Sequence, residues 1–174
     1  GAHVLVADVA EEHAQRVAAD TGAERVAALD AIQAECDVYS PCAVGGTLSA
    51  ESIPRLRCRI VAGSANNQLA DPSDADRLRE AGILYAPDYV ISAGGVIQLV
   101  GLEDRGWDDD ELERHLARIG DTLRDLYRDA DAEDITPDAA AQRLAAERIA
   151  QVGATEPGVR EPGVSMGRAH GISP

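Results

Sequence analysis

The sequence predicts an α/β fold, a parallel sheet with helices on both faces followed by C-terminal helices, and three observations predict it. Short aliphatic runs recur at 3–8, 36–40, 59–63 and 83–85, ending at a carboxylate, a proline or small residues. Helical stretches lie between several of them, the clearest closed by glycine. Aromatic residues make up 3% of the chain and Phe is absent, so the core is expected to be Ala, Val, Leu and Ile, small enough for close helix-on-sheet packing. Strand, small-residue loop and helix in alternation give parallel strands with right-handed crossovers, which stack the loops along one sheet edge.

Taken in order, His3 to Asp8 is an apolar run ending in a carboxylate, the pattern of a strand buried on both faces. Glu11 to Asp20 places Ala14, Val17 and Ala18 on one helical face, and Gly22 stops it. Residues 25–28 predict a short strand and 29–35 a helical turn or two. Cys36 to Ser40 is a strand ended by Pro41, and Gly45-Gly46 marks a tight loop beyond it. Ser49 to Leu56 is predicted as a short helix capped by Ser49. A strand at 59–63 precedes a helix from Asp71 through Arg79, with Gly82 as its stop and a strand at 83–85 after it. In the stretch Asp88 to Gly101, Gly94-Gly95 permits close approach to the backbone. Val96 and Leu99 share a face of the following helix, as packing residues or as pocket lining. Asp108 to Glu111 favours a helix N-terminus, and Leu112, Leu116, Ile119, Leu123, Leu126 and Tyr127 carry an amphipathic helix from there to about Asp129. Thr136-Pro137 opens a last helix with Leu144 and Ile149. Residues 1–150 are expected to form one domain, and 151–174, turning to Gly, Pro and isolated charges, a disordered tail.

A formal net charge of −15 argues against a nucleic-acid partner, because a phosphate backbone needs a basic stripe. No apolar run approaches the roughly 20 residues of a membrane span. Cys36, Cys42 and Cys58 lack metal-ligand or disulfide spacing, which fits a reducing cytoplasm, and His3, His13, His115 and His170 are dispersed, so no metal site is expected. The first residue is Gly and a strand follows at once, so a fragment is expected. All sixteen basic side chains are Arg.

The stretch with most chemical content is Arg59 to Asn67, a β-branched run that stops at Gly63-Ser64-Ala65-Asn66-Asn67. The bare end of a parallel strand is where ligands sit in open α/β sheets, while Asn and Gly also serve ordinary turns. Asp8 ends its strand where a nucleotide-binding βαβ unit places a carboxylate to accept from an adenosine ribose 2′-hydroxyl, which predicts NAD over NADP. The companion G-x-G-x-x-G loop is expected before Gly1.

The segments Val61 to Ala70, Gly82 to Val90 and Ala93 to Gln98, with Pro41-Cys42-Ala43-Val44-Gly45-Gly46, resemble the NAD-binding domain of the leucine, valine and phenylalanine dehydrogenases over residues 1–149. The resemblance implies a Rossmann-like sheet lacking its first βα unit. It also implies reversible oxidative deamination: hydride leaves the amino-acid Cα for the nicotinamide, and water converts the imino acid to a 2-oxo acid and ammonia. Carried over by position, Asp8 and Val9 hold the adenosine ribose, Cys42, Ala43 and Ser64 line the dinucleotide path, and Asn66 lies by the nicotinamide ribose and the substrate amino group. Val96 and Leu99 floor the pocket for an apolar side chain. Ser92 stands where the family has Asn beside the nicotinamide. The family's two catalytic lysines and an Asp belong to its other domain, so no catalytic residue is expected in this chain, and the full-length protein is expected to be a homo-oligomer. The alternatives are a truncated product serving as a noncatalytic binding module, or another oxidoreductase of the same fold.

Overall fold

The computed structural model describes residues 1–155. Five short strands, β1 (Leu5–Val6), β2 (Glu24–Arg25), β3 (Val38–Tyr39), β4 (Ile60–Val61) and β5 (Leu84–Tyr85), are all paired in parallel. They form two sheets, β1-β2 and β3-β4-β5. Among the described residues β1 pairs with β2 alone and β3 with β4 alone, so the other edge of β1 and the other edge of β3 are both unpaired. Val4 and Val38, on or beside those edges, are about half exposed.

The alternation of strands and helices is borne out, with local differences. Helix α1 (Glu11–Thr21) ends where expected, at Gly22 with a φ of 76°, but its apolar stripe is mostly open: Ala14 is buried and Val17 is not. The predicted helix at 49–56 is only a 3-10 turn, Ile53–Arg55. Pro54 disfavours α geometry in the residue before it, and the Ser49 hydroxyl accepts from the amides of Glu51 and Ser52, which folds a tight turn. Helix α2 (Asp74–Glu80) starts three residues later than predicted, because the Asp71 carboxylate accepts from Ser73 N–H and bends 71–73 into a turn. The strand expected at 25–28 is Glu24–Arg25.

Two short helices, α3 (Asp88–Ile91) and α4 (Gly94–Leu99), pass into a π-helical turn at Val100–Arg105. Trp107 lies over Gly101 and stacks on His115 with ring centroids 3.8 Å apart. The long helix α5 (Asp109–Glu133) is capped as the sequence indicated, Asp108 accepting from Glu111 N–H at 2.8 Å, and it packs against α3 and α4. Arg79 of α2 pairs with Asp134, the left-handed residue that ends α5. Helix α6 (Pro137–Thr155) opens on Thr136, whose hydroxyl accepts from Ala139 N–H. It runs four residues past Gln151 into the segment expected to be a tail, and residues 156–174 of that segment lie outside the described residues. Two units divide the chain within α6, residues 1–142 and 143–174. No helix among the described residues is long and apolar enough to cross a membrane.

The core lies with the three-stranded sheet: Leu48, Ile53, Val61, Leu78, Ile83 and Tyr85 are buried together, with Tyr39, Leu56, Cys58 and Leu69 against them. Its largest fully buried side chain is Tyr85, so the aliphatic core foreseen from composition has an aromatic centre. Burial at the strand ends is what holds the loops beyond them.

Candidate functional site

Strands β3 and β4 are parallel neighbours, so their following loops, 40–46 and 62–67, emerge at the same sheet edge. The loops are joined backbone to backbone: Ala65 N–H donates to the Pro41 carbonyl at 3.0 Å, and Gly46 N–H to the Asn67 carbonyl at 2.7 Å. Two glycines permit the approach. A Cβ on Gly63 would lie 2.2 Å from the Pro41 carbonyl oxygen, and one on Gly45 would lie 2.6 Å from that of Asn66. Gly63 and Ala65 are buried while Ser64 and Asn66 are exposed, so alternation along the loop turns Ser64 and Asn66 outward.

Buried polar groups fix the loop from beneath. The Gln68 amide, fully buried, donates to the carbonyls of Gly63 at 2.7 Å and Ala65 at 2.9 Å. Asp88, also buried, accepts from Asn67 N–H at 2.8 Å through Oδ2 and from the Tyr85 hydroxyl at 2.8 Å through Oδ1. Burial, together with the Asp88 carboxylate, pushes the Tyr85 hydroxyl far above the ordinary phenol range, so it stays a donor. Asn67 sits in the left-handed region at φ 54°, a conformation Asn tolerates better than most residues. Among the described residues the Asn66 side-chain amide has no hydrogen-bond partner, whereas the backbone on either side of it is pinned.

Cys42 is exposed at the same edge, 3.3 Å from the Ser40 hydroxyl. Partial burial raises its thiol pKa, but hydrogen bonds from Ser40 and from the backbone and hydroxyl of Ser64 outweigh that and hold it below the usual thiol value. Cys42, Ser64 and Asn66 are therefore brought together, with Ala43 exposed beside them. Asp8 and Val9 follow β1 in the other sheet. Asp8 Oδ1 accepts from Ala10 N–H at 2.8 Å and Oδ2 lies 3.9 Å from His13 Nδ1, while Val9 is 96% exposed. Among the described residues the Ser92 hydroxyl is buried with no partner, so a ligand reaches it only if the turn at 92–93 shifts. A Cβ on Gly94 would lie 3.5 Å from Leu116 of α5, which is helix packing, and nothing lies within 4 Å of one on Gly95. Val96 and Leu99 are 66% and 56% exposed on α4.

Sequence reasoning missed Gln68, Tyr85 and Asp88, and took Gly63 and Gly45 for turn formers. Asp88 after Pro87 has the look of a helix start, and only the fold reveals that its carboxylate reaches back twenty-one residues. No group of three or more His, Cys, Asp or Glu side chains suited to a metal ion occurs among the described residues.

Parallel strands alternating with helices, with interlocked loops at the C-terminal edge of the sheet, define an open α/β domain. Residues 3–156 match the Glutamate/Leucine/Phenylalanine/Valine dehydrogenase family, and the chain belongs to it. It is 41% identical over 145 residues to leucine dehydrogenase of Bacillus cereus, covering 83% of this chain and 39% of that protein. Valine dehydrogenase of Streptomyces albus is 44% identical over 155 residues, with 83% and 40% covered. The crystal structure of L-tryptophan dehydrogenase from Nostoc punctiforme superposes with a TM-score of 0.81 at 36% identity, covering 88% of this chain and 47% of that one. The chain thus spans about two fifths of the length of these curated relatives.

Proposed function

We propose that the chain is the NAD-binding part of an amino-acid dehydrogenase that interconverts an apolar L-amino acid with its 2-oxo acid and ammonia. The observation that carries this reading is the pair Ser64 and Asn66, facing outward from interlocked loops at the end of a parallel sheet in a chain of this family. The residues present fit the two ends of a dinucleotide. Asp8, exposed at the end of β1, offers a carboxylate to the adenosine ribose, with the bare Val9 side chain beside it, and Asn66 offers an unengaged amide to the nicotinamide end. Cys42, Ala43 and Ser64 lie along the same path, and Ser92 adds its unpaired hydroxyl once the turn around it moves. NAD, when bound, supplies the hydride acceptor. The chain's own part is to hold it, to orient the substrate amino group through Asn66, and to cover an aliphatic or aromatic side chain with Val96 and Leu99.

Completion of the sheet belongs to the same reading. In the doubly wound order 3-2-1-4-5-6, β1-β2 correspond to strands 2 and 3 and β3-β4-β5 to strands 4, 5 and 6, which leaves the first strand to sit between the unpaired edges of β1 and β3. The phosphate-binding loop that follows such a strand is not found within residues 1–174. Nor is any lysine. Arg can bind a carboxylate but holds its proton too tightly to act as a general base near neutral pH, so that work falls to residues outside this sequence. The absence of lysine also favours a second reading, a noncatalytic module that keeps the fold.

In the full-length protein, Asn66→Ala is expected to lower kcat about a hundredfold while thermal unfolding stays within a few degrees, since an exposed amide with no protein partner contributes little to stability. Unchanged turnover removes Asn66 from the substrate end of the site, whereas no amino-acid-dependent NAD reduction by the unmodified protein rejects the enzymatic reading and leaves the module. Enlarging Val96 to Phe is expected to shift kcat/KM among leucine, valine and phenylalanine by roughly tenfold or more, as pocket methylenes are worth ~1–3 kcal/mol. An unchanged substrate ranking removes Val96 from the pocket.

A further inference from the structure

The backbone of the loop after β4 does not hold its shape unaided. Asn67 is in a left-handed conformation that costs a non-glycine residue free energy, and it persists where the surroundings over-determine it. The group that over-determines it is Asp88, whose two carboxylate oxygens are both used. Oδ2 receives the Asn67 N–H and Oδ1 the Tyr85 hydroxyl, each at 2.8 Å, in a site that leaves Asp88 6% and Tyr85 2% exposed. Tyr85 is fixed by the core beneath β4 and β5. The next residue, Tyr89, anchors the same short helix from the other side, its hydroxyl donating to Asp138 Oδ1 at 3.0 Å in the first turn of α6. Thus the chain Tyr85, Asp88, Asn67 connects the rigid centre of the sheet to the backbone of Asn66. Gln68 secures the preceding carbonyls of the loop, and it does not touch the N–H that follows Asn66.

We propose that Asp88 is a positioning residue: through the backbone N–H of Asn67 it sets the direction of the Asn66 amide toward the substrate. The proposal rests on the reading of Asn66 given above and adds the group that makes that amide useful. Asn66 has no side-chain partner in the described chain, so its aim is set by backbone alone, and a displacement near 1 Å at a reacting centre is worth about a hundredfold in rate. Asp88 itself, buried under the loop, does not meet the substrate.

The test is a double-mutant cycle in the full-length protein. Asp88→Ala is expected to lower kcat about thirtyfold with KM for NAD within about twofold, because Asp8, Cys42 and Ala43 are untouched and Gln68 still holds the carbonyls on either side of Ser64. In an Asn66→Ala background the same change is expected to lower kcat by less than about threefold, since there is then no amide left to aim. A residue needed only for folding costs the same in both backgrounds, so full additivity overturns the proposal. Asp88→Asn keeps one acceptor for Asn67 N–H and lets its NH₂ group donate to the Tyr85 oxygen. It is expected to retain kcat to within about fivefold of the unmodified protein, and Asp88→Leu, near in size but without an acceptor, takes the alanine variant's place in the cycle should that variant not fold. If Asn66→Ala lowers kcat and loss of the Asp88 acceptor does not, the positioning role is wrong and the site reading stands. If Asn66→Ala has no effect, both are wrong.

Discussion

Gly63→Ala is expected to destabilise the protein by about 3 kcal/mol or more and to remove activity with it, the largest single effect any substitution in the site should have. The added methyl group would meet Pro41 at three atoms, the carbonyl oxygen at 2.2 Å, the nitrogen at 2.5 Å and Cδ at 2.6 Å. None of these is the end of a flexible side chain. Relief requires the two loops to separate, and separation breaks the Ala65 to Pro41 hydrogen bond and draws on the Gly46 to Asn67 bond next to it. Thermal unfolding of the full-length protein reads the loss, with Gly95→Ala as the comparison. A Cβ there meets nothing within 4 Å, so in a helical position it should be neutral or slightly stabilising. Equal melting temperatures for the two variants would show that the loops yield at little cost.

Leu78→Ala should cost a similar amount by a different route, ~3–5 kcal/mol. Leu78 is fully buried in α2, within the cluster formed by Leu48, Ile53, Val61, Ile83 and Tyr85. Truncation leaves a cavity among these side chains. The effect is expected in the unfolding midpoint and not in kcat measured well below it, because Leu78 makes none of the hydrogen bonds that fix Asn66. A fall in kcat at low temperature, with the fold intact, would mean that the packing beneath β5 is transmitted to the loop.

Periodicity and punctuation made the strand and helix order legible. Ile60-Val61 and the α5 stripe through Leu126 need only local pattern and lie where that pattern puts them, whereas His3 to Asp8 yields only Leu5–Val6, half-buried and not covered on both faces, because its outer edge is unpaired. What failed was local competition: Pro54 overrode a helical reading of 49–56, and the Asx turn at Asp71 delayed α2. The site was legible in part. Asn66 and Ser64 stood out as small polar residues at the end of an apolar run, and both are exposed there. Gln68, Tyr85 and Asp88 did not stand out, because Gln68 and Asp88 hold backbone groups of the 62–67 loop, which carry no signature in a sequence, and Tyr85 is tied to the Asp88 carboxylate only once the fold brings them together. Gly63 was visible as a glycine, but a glycine that admits a neighbouring carbonyl is spelled like one that forms a turn.

The unpaired edges of β1 and β3 bear on distance as well as on completeness. Neighbouring strands lie about 4.8 Å apart, so a single strand seated between these edges would place β1 and β3 roughly 10 Å from each other and β1 and β4 roughly 14 Å. Asp8 ends β1 and Asn66 follows β4. If Asp8 takes one ribose of a dinucleotide and Asn66 serves its other end, the sheet acts as a ruler for that ligand, the gap between the two groups being counted in whole strands. Such a protein could exchange side chains freely around the ligand, but it could not gain or lose a strand there without changing the length of molecule it holds.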